Sequence, residues 1–514
     1  MLSMKKIFQY ILIAAGLVVA GCEEDLDILN PNQPTIEVFW RNAQDAEQGV
    51  NAIYSTSHRG GFSRWMPILY ISRSDIGYSA SPWADLANAI DRFIQPDYNF
   101  EATAFVWTDI YVGIFRANQV IANVPGIEMD ETLKQRLLGE AHFLRGLFYY
   151  HLVTLWGNVP LMLEPSTPTD LPETASQEEV WAQIVEDLTF ASNALPATYP
   201  DARNLGRATK GAANALLAKA YMQQQNYQAA LAPLQWLVEG EGAGIYGLMP
   251  NYRDNFLVTT ENNMESVFEW QFAENPTEVT DNDVQTPDHN YGTSIAQFMA
   301  PRGIGWSDVQ ARRWPIQEFL EEQTVTGERD PRLAATYIFD NTDERGPEFT
   351  MVYGQTFAER YPNSPEREEV WFRKFLNDHW KEGEGYRSPN NWRFIRYSDV
   401  LLMYAEALNA TGSTAQAYQY VDRVRERVNL APLSEVMPDL DQDAFLEQLK
   451  HERLLELAGE GHRWNDLVRW GDLGTHLSDR DPGFANFEQG KHEFLPIPQR
   501  DLDINPNLEQ NPRW

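Results

Sequence analysis

Two stretches of this chain, nearly two hundred residues apart, space their small and apolar residues in the same way. In 208–238, Ala218 and Ala230 stand twelve apart and are followed by Leu234 and Leu237. In 399–428, Ala405 and Ala417 stand twelve apart and are followed by Val421 and Val424. Steps of four and three are helical steps. A small residue on each of two helices, with a turn between them (Gln225-Asn226 in one, Thr411-Gly412 in the other), lets the pair approach closely. The pattern matches the tetratricopeptide repeat of about 34 residues. Such hairpins bury their apolar faces only by stacking, so the repeats predict a mostly α, helical-hairpin scaffold.

Two further helices fit this plan. In 131–156, Leu133, Leu137, Ala141, Leu144, Phe148 and Leu152 form one apolar stripe, with Asp130 as N-cap and Gly157 and Pro160 as stop signals. In 176–195, Ser176 and Glu179 have capping-box spacing, and Val180, Ile184, Leu188 and Ala191 mark the buried side. They form a third hairpin if the proline-containing stretch 160–175 is an insertion. Hairpins are therefore expected over about 131–238 and 399–428, within a single compact domain of 36–514. Residues 56–108 and 240–392 read differently: aromatic residues lie among Gly, Pro, Asn and Asp with few sustained helical periods. Ser266–Phe272 alternates like a short strand. Long loops in a compact domain are usually functional. The chain holds 16 Trp, more than a core needs, so some are expected at a recognition surface.

The first residues predict an address. Lys5 and Lys6 precede an apolar run from Ile7 to Ala20, which ends at Val19-Ala20-Gly21-Cys22. This reads as a secretory signal over 1–21. The small residues before Cys22 resemble a bacterial lipobox, in which the cysteine is lipidated. Cys22 is also the sole cysteine and has no intrachain disulfide partner. Glu23-Glu24-Asp25 and the polar stretch that follows form a tether over 22–35, and an acidic start of this kind resembles a surface-export signal. A formal net charge of −33 argues against a nucleic-acid partner and against adhesion to anionic lipid. The acyl group is left as the expected anchor to the outer membrane.

Residues spread along the whole chain resemble one family, the SusD-like (RagB/SusD) nutrient-binding lipoproteins of Bacteroidetes. They include Phe39-Trp40 with Ala52-Ile53-Tyr54, and Gly139 to Gly146 continuing to Trp156-Gly157-Asn158-Val159-Pro160. Further along are Arg396-Tyr397-Ser398-Asp399, Glu452 to Leu457, Gly461-His462-Arg463-Trp464-Asn465-Asp466, Leu495-Pro496-Ile497-Pro498 and Asn505-Pro506-Asn507-Leu508. The final Arg513-Trp514 departs from the Gly-aromatic ending of the pattern. The resemblance implies a tetratricopeptide-like domain whose variable half is the ligand face. It also implies a partner, a SusC-like, TonB-dependent outer-membrane barrel, and a cargo that is an oligosaccharide or, in some members, a peptide. It implies no chemistry.

The polar residues of the motifs read as structural. Glu140, His142 and Arg145 share one helix, and Glu452, Arg453, Glu456, His462 and Arg463 are expected to form an internal ion-pair network. The nine histidines lack His-Glu-x-x-His spacing and there are no thiolate ligands, so no zinc site is expected. Asp281-Asn282-Asp283 is a weak calcium signal. No cofactor is expected, since no phosphate-binding Gly-rich loop and no Gly-x-Ser-x-Gly elbow are present. A sugar site wants flat aromatic platforms beside hydrogen-bonding groups. The candidates are Tyr78, Trp83, Tyr291 and Trp306, with Arg73, Asp85, Asn290 and Arg302 to fix hydroxyls. Two other readings stay open: a surface glycosidase with paired carboxylates, and an envelope scaffold that uses the repeat groove.

Overall fold

Helices start where a side chain can take up their free N–H groups. In the computed structural model, which describes residues 39–274, 291–340, 351–362 and 365–514, Asn42 caps α1 (Ala43–Tyr54). α2 covers Glu101–Asn123. Asp130 accepts from the Leu133 amide to open α3 (Glu131–Trp156), which stops at Gly157 with φ 74°. Ser176 and Glu179 make the reciprocal capping box of α4 (Gln177–Ala194). Thr209 and Asn226 cap α5 (Lys210–Gln223) and α6 (Tyr227–Val238). Further along lie α7 (Trp314–Leu320), α8 (Tyr397–Ala410), α9 (Thr414–Arg427) and α10 (Gln442–Leu457). Residues 1–35, with Cys22 and the tether, lie outside the described residues, as do Asp281-Asn282-Asp283 and Asn290.

Each helix packs on the next from α1 to α6, α6 packs directly on α8, and α8 packs on α9 and α10. The four spacing alanines, Ala218, Ala230, Ala405 and Ala417, are all fully buried, as close helix crossing requires. A short strand, β1 (Gly77–Ser79), precedes α2, and the long excursion between α6 and α8 carries β2 (Ser266–Trp270), β3 (Val309–Ala311), β4 (Tyr337–Phe339), β5 (Val370–Phe372) and β6 (Trp392–Arg396). They pair antiparallel in twos: β1 with β3, β2 with β6 through an irregular register, and β4 with β5. The 266–272 alternation is thus a strand over Ser266–Trp270.

One boundary needs correction. The aromatic stretch assigned to 56–108 ends earlier, because α2 begins at Glu101. Ala102, Val106, Ile110, Ile114 and Ala117 follow helical steps and are buried. Trp107 belongs to this helix and packs on Trp156, so it is core.

A buried charge network joins the excursion to the scaffold. Arg396, at the end of β6, reaches Glu265 at 2.5 Å, Glu456 at 3.0 Å and Glu460 at 2.7 Å. Arg427 holds Glu456 at 2.6 Å and Lys374 holds Glu460 at 2.7 Å. A second branch runs from Lys219 through Asp399 and Arg453 to Asp466 and Arg469. Arg463 binds Asp75, and Arg145 and His142 share Asp187. Glu140 pairs with Arg207 at 2.9 Å. The polar motif residues therefore hold helices together, as the sequence predicts.

Burial sets the acid response of this core. It pushes His151 down to about 3, and burial with the neighbouring Lys219 ammonium pushes His462 to about 4. Both stay neutral when folded, whereas an unfolded histidine takes a proton below about 6.5. Between pH 6.5 and 4 the unfolded state binds more protons, so stability falls with pH by roughly 1 kcal/mol per unit for each. For Glu456, burial opposes ionisation, yet Arg427, Arg396 and Arg332 outweigh it and hold the carboxylate well below its usual range. The stability it brings is present above the ordinary carboxylate range and is lost only in stronger acid. Urea midpoints should therefore drop from pH 7 to pH 5, and His151→Gln should flatten that drop. An unchanged slope would assign the acid response to other groups.

Candidate functional site

The core takes up most of the tryptophans. Trp156, Trp270, Trp371, Trp392 and Trp464 are fully buried. Among the described residues, only Trp306, at 38%, and Trp380, at 44%, are exposed. Tyr291, at 39%, joins them as an exposed tyrosine. A large ring left in water by a chain that buries so many others is a candidate for recognition.

All three rings stand on loops that hydrogen-bond to one another. The Tyr291 carbonyl accepts from the Ala273 amide at 2.8 Å. Two residues on, Thr293 exchanges backbone bonds with Ser388, and its hydroxyl donates to the Ser63 carbonyl. The Glu384 amide donates to the Ile304 carbonyl, two residues before Trp306. The Glu384 carboxylate accepts from the Asn377 amide at 2.7 Å and side chain at 2.6 Å, which fixes the turn that carries Trp380. Lys381 lies 4.2 Å from the Trp380 ring centre, on one ring face, and reaches Glu274 beside Ala273.

Below Trp306 runs a ladder of rings. Trp306 meets Tyr386 at 5.1 Å and Phe298 at 5.0 Å, both edge-on. Phe298 meets Trp65, Trp65 meets Trp83 (each at 5.2 Å), and Trp83 meets Phe100. The buried Arg64 guanidinium lies 5.2–5.4 Å from Trp65, Phe298 and Tyr386, a cation–π arrangement that fixes all three. Gly305 permits the Trp306 turn: a Cβ there would lie 2.5 Å from the Gln297 carbonyl oxygen. Gly305→Ala should therefore displace Trp306, weaken ligand binding and lower the unfolding midpoint as well, because the methyl group meets backbone. Retained affinity would show that the turn tolerates the methyl group.

The candidates from sequence separate into groups. Trp306 and Tyr291 are exposed rings on the interlinked loops. Trp83 lies on the same ladder but is wedged between Trp65 and Phe100, so it supports the face from below. Tyr78 is half-buried under Arg312 at 4.1 Å, its hydroxyl on Gln310. Asp85 is half-buried, and burial and Asp97 raise its pKa. Arg302 is partly exposed and binds Glu369 at 3.1 Å. Arg73 is a correction: only 2% exposed, it stacks on Trp464 at 4.2 Å and donates to the His492 carbonyl. Core packing takes its guanidinium, so it cannot meet a surface ligand. Sequence reasoning missed Trp380, although Gly383, Gly385 and Asp378 around it resemble the setting of Trp306.

Larger cavities lie along the scaffold. One of about 310 Å³ is lined by Tyr199, Tyr246 and Asn262, and one of about 710 Å³ by Arg136 and Asp201. Neither includes an exposed indole. The ring face is a platform beside which Arg302 and Lys381 each pair with a carboxylate, while Arg360 donates to the Gly303 carbonyl and the Gln355 side chain.

Residues 214–514 match the family model described as "SusD family", more than half of the chain. The chain belongs to the SusD family. A second model, "Starch-binding associating with outer membrane", matches residues 78–222. Like other SusD-family chains, this one has full-length relatives. It is 28% identical to "SusD-like protein P25" of Formosa agariphila over 95% of each chain. A SusD superfamily crystal structure from Bacteroides vulgatus superposes with a TM-score of 0.79 at 26% identity, covering 93% of this chain and 100% of the other. A "Laminarin binding SusD-like protein" is 30% identical with a TM-score of 0.74, covering 92% and 100%. The helical scaffold is thus shared with solved SusD-family structures.

Proposed function

We propose that this SusD-family protein captures a neutral glycan on the Trp306–Trp380 face at the cell surface and passes it to a SusC-like, TonB-dependent barrel, without chemistry of its own. The observation that carries the reading is the pair of exposed indoles on one set of interlinked loops. Sugar rings have apolar C–H faces that lie on such planes and hydroxyl rims that bond to adjoining amides, carboxylates and guanidinium groups. Paired cations favour hydroxyl-bearing cargo over a highly anionic polymer. The laminarin-binding relative supports a β-glucan as the first polymer to test. Lipidation at Cys22 and export through Glu23-Glu24-Asp25 belong to the same reading, as does barrel docking.

Native electrophoresis of the chain starting after Cys22, through gels containing laminarin and other neutral or anionic polysaccharides, tests it. Retardation by a neutral glucan, lost on removal of both indoles, is expected. Retardation by anionic polymers alone would overturn the neutral assignment. New reducing ends in the gel polymer would point to a glycosidase.

A further inference from the structure

α7 and α10 pack against each other, and three metal-binding side chains converge near their contact. Glu318 is on α7 and Glu321 is its C-cap residue, one turn further on; His451 is on α10. One donor atom from each lies within 4.8 Å of the other two. Glu318 Oε2 and His451 Nδ1 are already 3.1 Å apart. Atoms bound to one tetrahedral ion at about 2.0–2.2 Å stand about 3.3–3.6 Å apart, so closing the triangle takes a rotation of the exposed Glu321 side chain toward the Glu318–His451 pair.

We propose that Glu318, Glu321 and His451 bind one divalent transition-metal ion of the Zn²⁺ class, joining the excursion to the scaffold. One imidazole with two carboxylates suits zinc, cobalt or nickel, whereas calcium and magnesium take oxygen ligands. Glu318 and His451 also line an open cleft of about 490 Å³ that His476 shares. Water from the cleft can therefore fill the remaining coordination positions. The cations of the cleft have carboxylate partners of their own, although Arg463 and Arg480 also act on Glu318 at longer range. Lys450 is held by Glu447 and Asp472, each at 2.8 Å, and Arg463 and Arg480 are held by Asp75. The next residue, Glu452, faces away onto Arg425 and Arg332. The ligands come from segments well over a hundred residues apart, which is why the histidine spacing in the sequence gave no sign of a site.

The test is titration of the full chain, purified in detergent, with Co²⁺ at neutral pH, followed by its visible d–d absorption and by calorimetry. One saturable equivalent, displaced by Zn²⁺, is expected. His451→Ala and Glu321→Gln should each weaken it by at least about tenfold, since even outer-shell partners of a metal ligand are worth that much. Glu447→Gln, a change to a cleft carboxylate outside the triad, should leave it unchanged. Glu321 is exposed, so its variant tests the site without disturbing the core. Absence of saturable binding, or binding retained in both ligand variants, would overturn the proposal.

Discussion

Arg396→Met is expected to lower the stability of the chain by about 3–5 kcal/mol, the usual cost of removing one partner from a buried ion pair. Arg332, Lys374, Arg396, Arg425 and Arg427 balance Asp330, Glu265, Glu452, Glu456 and Glu460 in one interior network. Five cations meet these five carboxylates and a sixth, the partly exposed Glu322 on Arg425, so loss of one guanidinium leaves uncompensated negative charge where water cannot reach. Methionine fills much of the volume, which isolates the charge effect from a cavity effect. Urea midpoints measure the loss. Adding Glu460→Gln should recover part of it by removing the excess anion. A single variant as stable as the parent would mean that the network contributes no net stability.

The second large effect concerns the ring face. Trp306→Ala and Trp380→Ala should each weaken glycan binding by about 1–3 kcal/mol, the size of a hot-spot aromatic. That is roughly five- to hundredfold in affinity. The double variant should show no retention in the gel. Both rings are partly exposed, so circular dichroism should remain that of the parent and the unfolding midpoint should fall only modestly. Trp83→Ala is expected to behave differently: it removes a packed ring under the ladder and should lower stability as well as affinity. Full affinity in the folded double variant would remove this face from consideration.

The helical scaffold was legible because its information is local. Caps such as Asp130 and Ser176 and stripes such as Leu137–Leu144–Phe148 act within a few residues. The alanine spacing repeated the hairpin plan in a second place. α2 was less visible, because Trp107 and Tyr111 gave its first turns the look of the loops before it, although Val106, Ile110 and Ile114 kept helical steps. The site was only half legible. Trp306 and Tyr291 could be picked out as aromatic residues in glycine- and aspartate-rich sequence. The ladder of Trp65, Phe298 and Tyr386 could not, because it exists only once Thr293 bonds to Ser63 and Ser388. Arg73 misled for the same reason. Nothing near it in sequence announces Trp464, almost four hundred residues on, as the ring it covers.

Direct packing of α6 on α8 brings the two ends of the long excursion together. A loop closed at a fixed base costs little more entropy when it lengthens, about 0.6 kcal/mol per doubling. Exposed turns of the segment between Val238 and Tyr397, such as those that carry Trp306 and Trp380, can thus change in length without re-laying the helices, provided that Glu265, Lys374 and Arg396 keep their places in the buried network. New cargo preferences can arise by rewriting those turns, while the surfaces offered by the helical hairpins stay as they were.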